Sequence, residues 1–309
     1  MKVIGVTEFG GPEKLGPHEV PEPHAGPGEV RIRVHAAAVS PTDTHMRIGD
    51  YPVTGEPPYV PGMDAAGVVD EVGEGCPWQV GDKLMAIALP VGGKHGGGYV
   101  EKLVGPWRSM ARIPEGVDFA AASTLPMNGL TAYQALEKLD LSPGQTLAVT
   151  GAAGTLGGYV VQLAKHRGLT VVADAAEKDR ELVASFGADH IVPRGDDVAS
   201  RIREIYPDGV DGLVDGSVQN ELVVPAVRDG GGFATVRFWS GPVDRGIKLH
   251  KVLVAQEYES HEKLDELRKL VEEGVITLRV ADTIPADNAA EAHRRLAAGG
   301  VRGRLVLTF

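Results

Sequence analysis

Residues 146–174, TLAVTGAAGTLGGYVVQLAKHRGLTVVAD, constrain the fold more than any other part of this chain. The apolar run at 147–149 predicts a buried strand, and a second apolar run ends at Asp174. Between them, Val160, Leu163 and Ala164 recur at helical spacing on one face, with Gln162, Lys165 and Arg167 elsewhere on the helix. The segment therefore predicts a strand, a glycine turn, a helix and a second strand, the repeating unit of parallel sheets.

The glycines of this turn stand at Gly151, Gly154 and Gly157, so their spacing is GxxGxxG. The dinucleotide fingerprint GxGxxG would need glycine at position 152, where the chain has Ala152. A tight strand-to-helix turn still lets backbone N–H groups and the helix N-terminus face a pyrophosphate. Because Asp174 ends the second strand twenty residues after Gly154, the context favours dinucleotide binding over an ordinary loop.

The composition is that of an average globular protein. The chain has 309 residues, of which 43% are hydrophobic and 24% charged, enough for two domains with a sizeable core. Its net charge of −11 argues against a nucleic-acid or membrane-surface binder, because those binders need basic patches. We expect a cytoplasmic protein, since there is neither a run of about 18 apolar residues nor a signal peptide, and the single cysteine fits a reducing compartment.

The pattern of predicted strands and helices changes twice along the chain. Residues 1–120 hold short apolar runs separated by glycine and proline, which predicts a twisted, β-rich antiparallel domain. Strands and helices alternate over 121–255, which predicts a doubly wound parallel sheet with its ligand at the carboxyl ends of the strands. Residues 256–309 return to the pattern of residues 1–120, with a helix near 260–273 and a final strand. We therefore predict an α/β chain in which a nucleotide-binding domain interrupts a β-rich domain.

Seven segments follow one another in the order of a known family. They are GEVRIRVHAAAVSPTDTHMRIGDYP, PYVPGMDAAGVVDEVG, VGDKLMA, IPEGVDFAAASTLPMNGLTAYQAL, GAAGTLGGYVVQLAK, SFGADHIV and AHRRLAAGGVRGRLVLTF. On these segments the chain resembles the zinc-independent quinone oxidoreductase branch, zeta-crystallin-like, of the medium-chain dehydrogenase/reductase superfamily. The resemblance implies a Rossmann doubly wound sheet inserted in a GroES-like β-rich domain, and a homodimer.

The positions that bind zinc in other members of this superfamily have changed here. In those members a cysteine and a histidine beside an acidic residue hold a catalytic ion, whereas this chain has Ser40 and Met63, the latter beside Asp64. Catalytic zinc needs about three protein ligands with N, S or O donors, and the four-cysteine structural lobe is missing as well. Of the histidines, His45 and His95 could lie near the cleft, but they match no zinc motif. The resemblance and these substitutions together predict a protein without metal.

Without a metal, the easiest hydride acceptor is an already electrophilic conjugated system. The anion that forms on a quinone or an α,β-unsaturated carbonyl needs only hydrogen-bond donors. Tyr51, in GDYP, matches a tyrosine donor of related enoyl-thioester reductases, although it could instead pack at a turn. Ser40 and Asp43 match the loop that faces the nicotinamide in this family, although Asp43 could serve to order the backbone. The candidate catalytic residues are therefore Tyr51, Ser40 and Asp43.

The resemblance also implies a set of cofactor-binding residues. They are Thr131, Ala152, Gly154, Thr155, Leu156, Gly157, Asp174, Lys178, Arg194 and Phe238. Thr131 matches a position near the nicotinamide but could also cap a helix. Phe238 and Trp239 follow a predicted strand and could wall the nicotinamide pocket.

Three charged residues bear on the choice between NADPH and NADH. A carboxylate such as that of Asp174 ordinarily accepts a hydrogen bond from the ribose 2′-OH of NAD, but in the family's register Asp174 falls one place before that position. Lys178 and Arg194 match positions that hold the 2′-phosphate of NADP, although they could be solvated surface charges. We expect NADPH rather than NADH.

The leading hypothesis is a metal-free, NADPH-dependent reductase of a small-molecule quinone or enone, with no nucleic-acid or membrane partner. A second hypothesis is a non-catalytic protein that keeps the cofactor site and serves a structural or regulatory role, because a fold does not imply a function. A third is an enoyl reductase dedicated to one pathway. Oxidation of NADPH with a panel of quinones and enones distinguishes the three.

Overall fold

The computed structural model describes residues 1–51, 53, 55–91 and 96–309. Within these residues the chain forms fifteen β-strands and eight α-helices. The strands are β1 Lys2–Gly5, β2 Gly16–Glu19, β3 Glu29–Ala38, β4 Asp64–Val72, β5 Lys83–Ile87, β6 Lys102–Pro106, β7 Met110–Arg112, β8 Thr146–Thr150, β9 Thr170–Ala175, β10 His190–Pro193, β11 Val210–Asp215, β12 Val227–Thr235, β13 Lys248–Lys251, β14 Val280–Pro285 and β15 Arg304–Thr308.

The α-helices are α1 Pro41–Ile48, α2 Phe119–Ala122, α3 Pro126–Leu139, α4 Thr155–His166, α5 Arg180–Ser185, α6 Val198–Ile205, α7 His261–Glu272 and α8 Ala289–Ala298. Short 3-10 helices lie at Pro12–Lys14, Trp107–Ser109, Glu177–Asp179, Asn220–Leu222, Val224–Ala226, Val254–Glu257 and Ala286–Asn288. In the part of the chain that the structure describes, none of the helices has both the length and the apolar character needed to cross a membrane.

The chain divides into two compact units. The first unit comprises Met1–Met127, Ala255–Glu273 and Leu278–Phe309. The second unit comprises Asn128–Val254 and Gly274–Thr277. The second unit is therefore, for the most part, one continuous insertion into the first.

The second unit is built on a six-stranded sheet. Its strand order is β10-β9-β8-β11-β12-β13, and every neighbouring pair is parallel. The chain starts in the middle at β8, runs outward to β10, and then returns to β11 to run outward on the other side. This reversal defines a doubly wound sheet, whose ligands bind at the carboxyl ends of the strands where the order reverses. The predicted Rossmann-type sheet is confirmed.

Helix α4 lies deeper in this unit than its sequence pattern predicts. Its residues from Gly157 to Ala164 are all buried. Gln162 donates from Nε2 to Oγ1 of Thr277 at 3.1 Å and accepts the backbone N–H of Thr277 at 3.2 Å. Thr277 belongs to segment 274–277 of the same unit, which these two bonds join to the helix. Gln162 is therefore buried although it lies off the face of Val160, Leu163 and Ala164, and its amide is satisfied inside the unit.

The first unit is β-rich, as predicted. Its main sheet has the order β14-β15-β3-β4-β5-β7, and β6 also pairs with β3. Strands β14 and β15 are parallel, whereas β3 pairs antiparallel with β4, β6 and β15. Strands β1 and β2 form a separate antiparallel pair. The interior is mainly aliphatic, with Val30, Ile32 and Leu84 all fully buried.

Candidate active site

The glycine turn of the second unit joins the carboxyl end of β8 to the start of α4. Gly154 is the N-cap of α4, and Gly151 has a φ of +68°, in the left-handed region. A Cβ atom at position 157 would lie 2.4 Å from the carbonyl oxygen of Gly151 and 2.7 Å from the Cα atom of Ala152. Glycine at 157 is therefore what allows the helix to start so close to the turn.

The start of α4 has the chemistry of an anion site. Its N-cap is a glycine and provides no side-chain cap, so the N-terminus presents backbone N–H groups with the positive end of the helix dipole. Thr155 is buried and Leu156 is half-buried beside these groups. A pyrophosphate is a ligand that such a turn binds, because the backbone can approach it closely. The residues present therefore fit a dinucleotide cofactor.

Asp174 contacts the same turn from the end of β9. Its carboxylate accepts the backbone N–H of Ala152 at 3.1 Å, and the side chain is buried. Burial raises the pKa of this carboxyl, whereas the backbone N–H groups of Ala152 and Gly151 lower it. Asp174 thus orders the turn, and its proposed contact with a ribose hydroxyl stays a prediction.

Lys178 and Arg194 follow neighbouring strands of the sheet. Strands β9 and β10 pair in parallel, and the backbone N–H of Arg194 donates to the carbonyl oxygen of Ala175 at 3.0 Å. Both side chains are exposed, and Arg194 is close enough to Asp174 to lower the pKa of its carboxyl. The structure therefore brings two cations to the sheet edge where doubly wound folds bind the adenosine ribose.

The remaining cofactor candidates differ in exposure. Thr131 lies in α3 and is buried. Phe238, after β12, has a φ of +55° and is 61% exposed. Trp239 packs edge-on against Phe233 inside the unit, with ring centroids 5.5 Å apart. Phe238 rather than Trp239 therefore presents its ring to solvent.

In the first unit, Ser40 and Asp43 form a capping box at the start of α1. The Asp43 carboxylate accepts the backbone N–H of Ser40 at 2.7 Å and its hydroxyl at 3.0 Å, and the Asp43 N–H donates to Ser40 Oγ at 3.4 Å. The carboxylate also accepts the Gly62 N–H at 2.9 Å and the Tyr99 hydroxyl at 3.1 Å. Both Ser40 and Asp43 are 0% exposed. The pair therefore caps the N-terminus of α1.

Asp64 lies in a second buried cluster of polar side chains. Its carboxylate accepts the backbone N–H of Met127 at 2.6 Å and pairs with the guanidinium of Arg304 at 3.0 Å. Burial raises the pKa of Asp64 to about 6, although the nearby Arg304 opposes this change. Arg304 also donates from Nε to the carbonyl oxygen of Val39 at 2.8 Å. The pair therefore ties β4 and β15 to the end of β3 and the start of α3.

The donor atoms at the former zinc positions do not fit a zinc ion. The Ser40 hydroxyl is already bonded to Asp43, and Met63 offers a buried thioether, a weak donor. The acidic residue beside Met63 is engaged by Met127 and Arg304. His95, the other histidine considered, lies outside the described residues. No chemical step is therefore assigned to zinc.

Tyr51 follows the end of α1 and is half-buried. Its ring lies against that of His45, with centroids 5.9 Å apart and planes inclined by 50°. Nδ1 of His45 lies 2.6 Å from a carboxylate oxygen of Asp50. The structure thus brings a phenol, an imidazole and a carboxylate together in seven consecutive residues.

Sequence reasoning missed two residues of the buried cluster around Asp43. The Tyr99 hydroxyl contacts Asp43, 56 positions away, and lies 3.4 Å from Nε2 of His293, 194 positions away. No local pattern links residues so far apart. The need for such partners follows from the burial of Asp43, which is 0% exposed, because a buried carboxylate needs hydrogen-bond donors.

Comparisons with known proteins agree with this architecture. Two family models match, the alcohol dehydrogenase GroES-like domain over residues 26–115 and the zinc-binding dehydrogenase over residues 186–307. An alcohol dehydrogenase of Geobacillus stearothermophilus is 30% identical, covering 99% of this chain and 99% of its own length. A 2-haloacrylate reductase of a Burkholderia species is 30% identical, covering 98% of this chain and 97% of its own.

Solved structures of similar proteins support the same family relationship. A mycobacterial protein in complex with NADPH superimposes with a TM-score of 0.88 at 27% identity, covering 100% of both chains. Proteins named quinone oxidoreductase and alkenal/one oxidoreductase are also among the relatives. The parallel sheet with its glycine turn, the GroES-like domain and these full-length similarities place the chain in the zeta-crystallin-like branch of the medium-chain dehydrogenase/reductase superfamily of oxidoreductases.

Proposed function

We propose that this protein is an NADPH-dependent, metal-free reductase of quinones or α,β-unsaturated carbonyl compounds. The observation that carries the proposal is an intact cofactor turn in a chain whose former zinc positions hold a bonded hydroxyl and a buried thioether, Ser40 and Met63. Such a chain has the means to bind a hydride donor but no Lewis acid to polarise an unactivated carbonyl. Its substrate must therefore be electrophilic already.

The cofactor half of the proposal rests on the second unit. The N–H groups at the start of α4 would hold the pyrophosphate, and the exposed Lys178 and Arg194 would hold the 2′-phosphate. When bound, NADPH would supply a hydride ion, which is one proton together with two electrons. Phe238, exposed after β12, would lie along the nicotinamide, and Thr131 of α3 would lie at the same end of the cofactor.

The substrate half rests on the first unit. Tyr51 would donate a hydrogen bond to the oxygen on which negative charge develops, because a phenol is protonated at neutral pH. Ser40 and Asp43 would hold the start of α1, and with it the segment that leads to Tyr51. The similarity to a 2-haloacrylate reductase supports this choice, since a haloacrylate is an activated alkene. We also expect a homodimer, as the family resemblance implies.

A direct test is oxidation of NADPH, followed by its absorbance, with a panel of quinones, enones, simple aldehydes and secondary alcohols. We expect turnover with several quinones or enones and little with aldehydes or with alcohols plus NADP. High turnover on one enoyl substrate alone would favour a dedicated enoyl reductase. NADPH binding without turnover on any acceptor would favour a structural or regulatory role and would contradict the proposal.

Cofactor choice provides the first mutational prediction. Replacing both Lys178 and Arg194 with alanine should weaken NADPH binding by tenfold or more per residue, because each charge-assisted hydrogen bond is worth about 1.5–3 kcal/mol. NADH binding, which lacks the phosphate, should change little. Isothermal titration calorimetry measures both affinities.

The matched control removes a lysine and an arginine from helices of the first unit, in the double variant Lys269→Ala/Arg294→Ala. Both of these side chains are more than half exposed and lie in surface ion pairs. Equal affinities of the wild-type protein for NADH and NADPH would contradict the prediction, and Asp174 would then be the residue to test as the selector.

A further inference from the structure

Loop 216–220 follows β11 at the carboxyl edge of the parallel sheet of the second unit. Two of its residues that are not glycine, Val218 and Asn220, have left-handed φ values of +60° and +53°. A β-branched residue such as valine rarely adopts this conformation, because its side chain then crowds the backbone. Such conformations persist only where neighbouring contacts impose them, and they are concentrated at functional sites. The contacts of loop 216–220 therefore indicate what it holds in place.

The buried carboxylate of Asp215 attaches this loop to the end of β8. Asp215 is 1% exposed, and its carboxylate accepts the hydroxyl of Thr150 at 2.6 Å and the backbone N–H of Asn220 at 2.7 Å. The backbone N–H of Gly216 also donates to the carbonyl oxygen of Thr150 at 3.2 Å. Thr150 is the last residue of β8 and directly precedes the glycine turn. The loop is therefore tied at its start, and through Asp215 at its end, to the strand that carries this turn.

Gln219 extends from this loop to the segment that carries Arg194. Its Nε2 donates to the carbonyl oxygen of Gly195 at 3.0 Å, and its Oε1 lies 3.2 Å from the hydroxyl oxygen of Ser217. A carbonyl oxygen can only accept a hydrogen bond, so the amide nitrogen must face Gly195 and the amide oxygen must face Ser217. The orientation of the Gln219 amide is therefore fixed by contacts at both of its ends.

The backbone on both sides of the exposed Arg194 side chain is held by hydrogen bonds. On one side, the N–H of Arg194 donates to the carbonyl oxygen of Ala175 in β9 at 3.0 Å. On the other side, the Gly195 carbonyl accepts Nε2 of Gln219 and the backbone N–H of Val198, the latter at 3.2 Å. The bond from Val198 is local, whereas the bond from Gln219 comes from the loop of another strand. Gln219 therefore fixes this segment relative to the sheet.

We propose that Gln219 is a positioning residue for cofactor choice, which holds the backbone of Arg194 so that the guanidinium meets the 2′-phosphate of NADPH. This inference rests on the proposed function, in which Arg194 binds that phosphate. A long side chain binds more tightly when its backbone is already ordered, because less conformational entropy is lost on binding. The pyrophosphate would be held elsewhere, at the start of α4. Loss of the Gln219 amide should therefore change the affinity for NADPH and not that for NADH.

The experiment replaces Gln219 with methionine, which has a similar length and shape but no amide donor. Gln219→Glu is a second variant, because a carboxylate cannot donate to the Gly195 carbonyl. The control is Gln145→Met at the amino end of β8, where a half-buried glutamine donates from Nε2 to a carboxylate oxygen of Asp211 at 3.1 Å. Arg194→Ala and the double variant Arg194→Ala/Gln219→Met complete a double-mutant cycle.

Calorimetry measures the affinity of each variant for NADPH and NADH, and for adenosine 2′,5′-bisphosphate and 5′-AMP, two ligands that differ only in the 2′-phosphate. We expect Gln219→Met to bind NADPH and the bisphosphate about fivefold more weakly, the loss that corresponds to one hydrogen bond. Gln219→Glu should lose at least as much, and both variants should bind NADH and 5′-AMP as the wild-type protein does. Gln145→Met should leave all four affinities unchanged. The double variant should bind NADPH no more weakly than Arg194→Ala, because Gln219 acts through Arg194.

Three results would overturn the inference in a wild-type protein that prefers NADPH, and would leave the proposed function intact. The first is a Gln219→Met variant that binds NADPH as tightly as Gln145→Met does. The second is an equal loss for NADPH and NADH, which is what a residue that only stabilises the loop would produce. The third is a double variant weakened by the product of the two single losses, since Gln219 would then act independently of Arg194. Equal wild-type affinities for NADPH and NADH would overturn the proposed cofactor choice, and with it this inference.

Discussion

In the first unit, burial shifts the pKa values of three neighbouring side chains, those of Asp43, Tyr99 and His293. Burial raises the pKa of Asp43 and raises the pKa of Tyr99 well above its ordinary value, so the phenol stays a donor to the carboxylate. Burial also lowers the pKa of His293 to about 3. His293 is therefore neutral at every pH at which the protein is expected to function, and it contacts the Tyr99 hydroxyl at 3.4 Å.

His293 should make the protein sensitive to acid. Its pKa falls from 6.5 when unfolded to about 3 when folded, so the unfolded chain binds one more proton between these values. Stability is therefore complete above pH 6.5 and is lost as the pH falls toward 3, by about 1.4 kcal/mol per pH unit. In urea unfolding at pH 7 and pH 5, His293→Gln should lose less stability than the wild-type protein on acidification. An equal loss in both proteins would contradict the assigned state of His293.

Among the secondary-structure elements, the β8 to α4 unit carries the largest share of the proposed function. Its turn is shaped from three directions: the left-handed Gly151, the absent side chain at Gly157 and the carboxylate of Asp174. Helix α4 is buried almost throughout, so it cannot shift to admit a larger residue. The position of the helix N-terminus, and with it the anion site, is therefore set by packing as well as by the turn.

Gly157→Ala should disrupt this element. The added Cβ would lie 2.4 Å from a backbone oxygen, so either the turn or the helix must move, at a cost of about 1–3 kcal/mol in stability. We expect a lower melting temperature and weaker NADPH binding by calorimetry. Gly16→Ala is the matched control, because a Cβ there meets nothing within 4 Å. Unchanged NADPH affinity in Gly157→Ala would show that the turn is not the pyrophosphate site.

At the scale of the whole molecule, the proposed chemistry is divided between the two units. The residues proposed to hold the cofactor, from Thr131 to Phe238, all lie in the second unit, and Tyr51, Ser40 and Asp43 lie in the first. Because one unit is inserted into the other, a single chain supplies both sets of residues. The net charge of −11 weighs against a general nucleic-acid binder, which needs basic patches.

Activity of the whole protein should not depend on metal. The reason is the donor set at the former zinc positions, where Ser40 is bonded to Asp43 and Met63 is buried. Elemental analysis of active protein should find much less than one zinc per chain, and incubation with a chelator should leave the rate of enone reduction unchanged. Stoichiometric zinc whose removal stops turnover, and whose return restores it, would disprove the prediction.

The sequence by itself determined the order of elements, the fold class and the family. Local patterns were sufficient for these, because the strand, glycine turn and helix of 146–174 and the final strand are encoded by neighbouring residues. The sequence also determined which residue types stand at the former zinc positions, and therefore which chemistry to consider. The roles of the candidate site residues stay predictions that the variants above will test.

Only the tertiary structure decided which partners these residues have. It surrounded Asp43 with Gly62 and Tyr99, and it turned Asp174 onto the backbone of its own turn. It also buried Gln162 under a segment more than a hundred positions later, at Thr277. Residues so far apart meet because burying apolar surface brings their elements together, and no local periodicity records which polar groups then become neighbours.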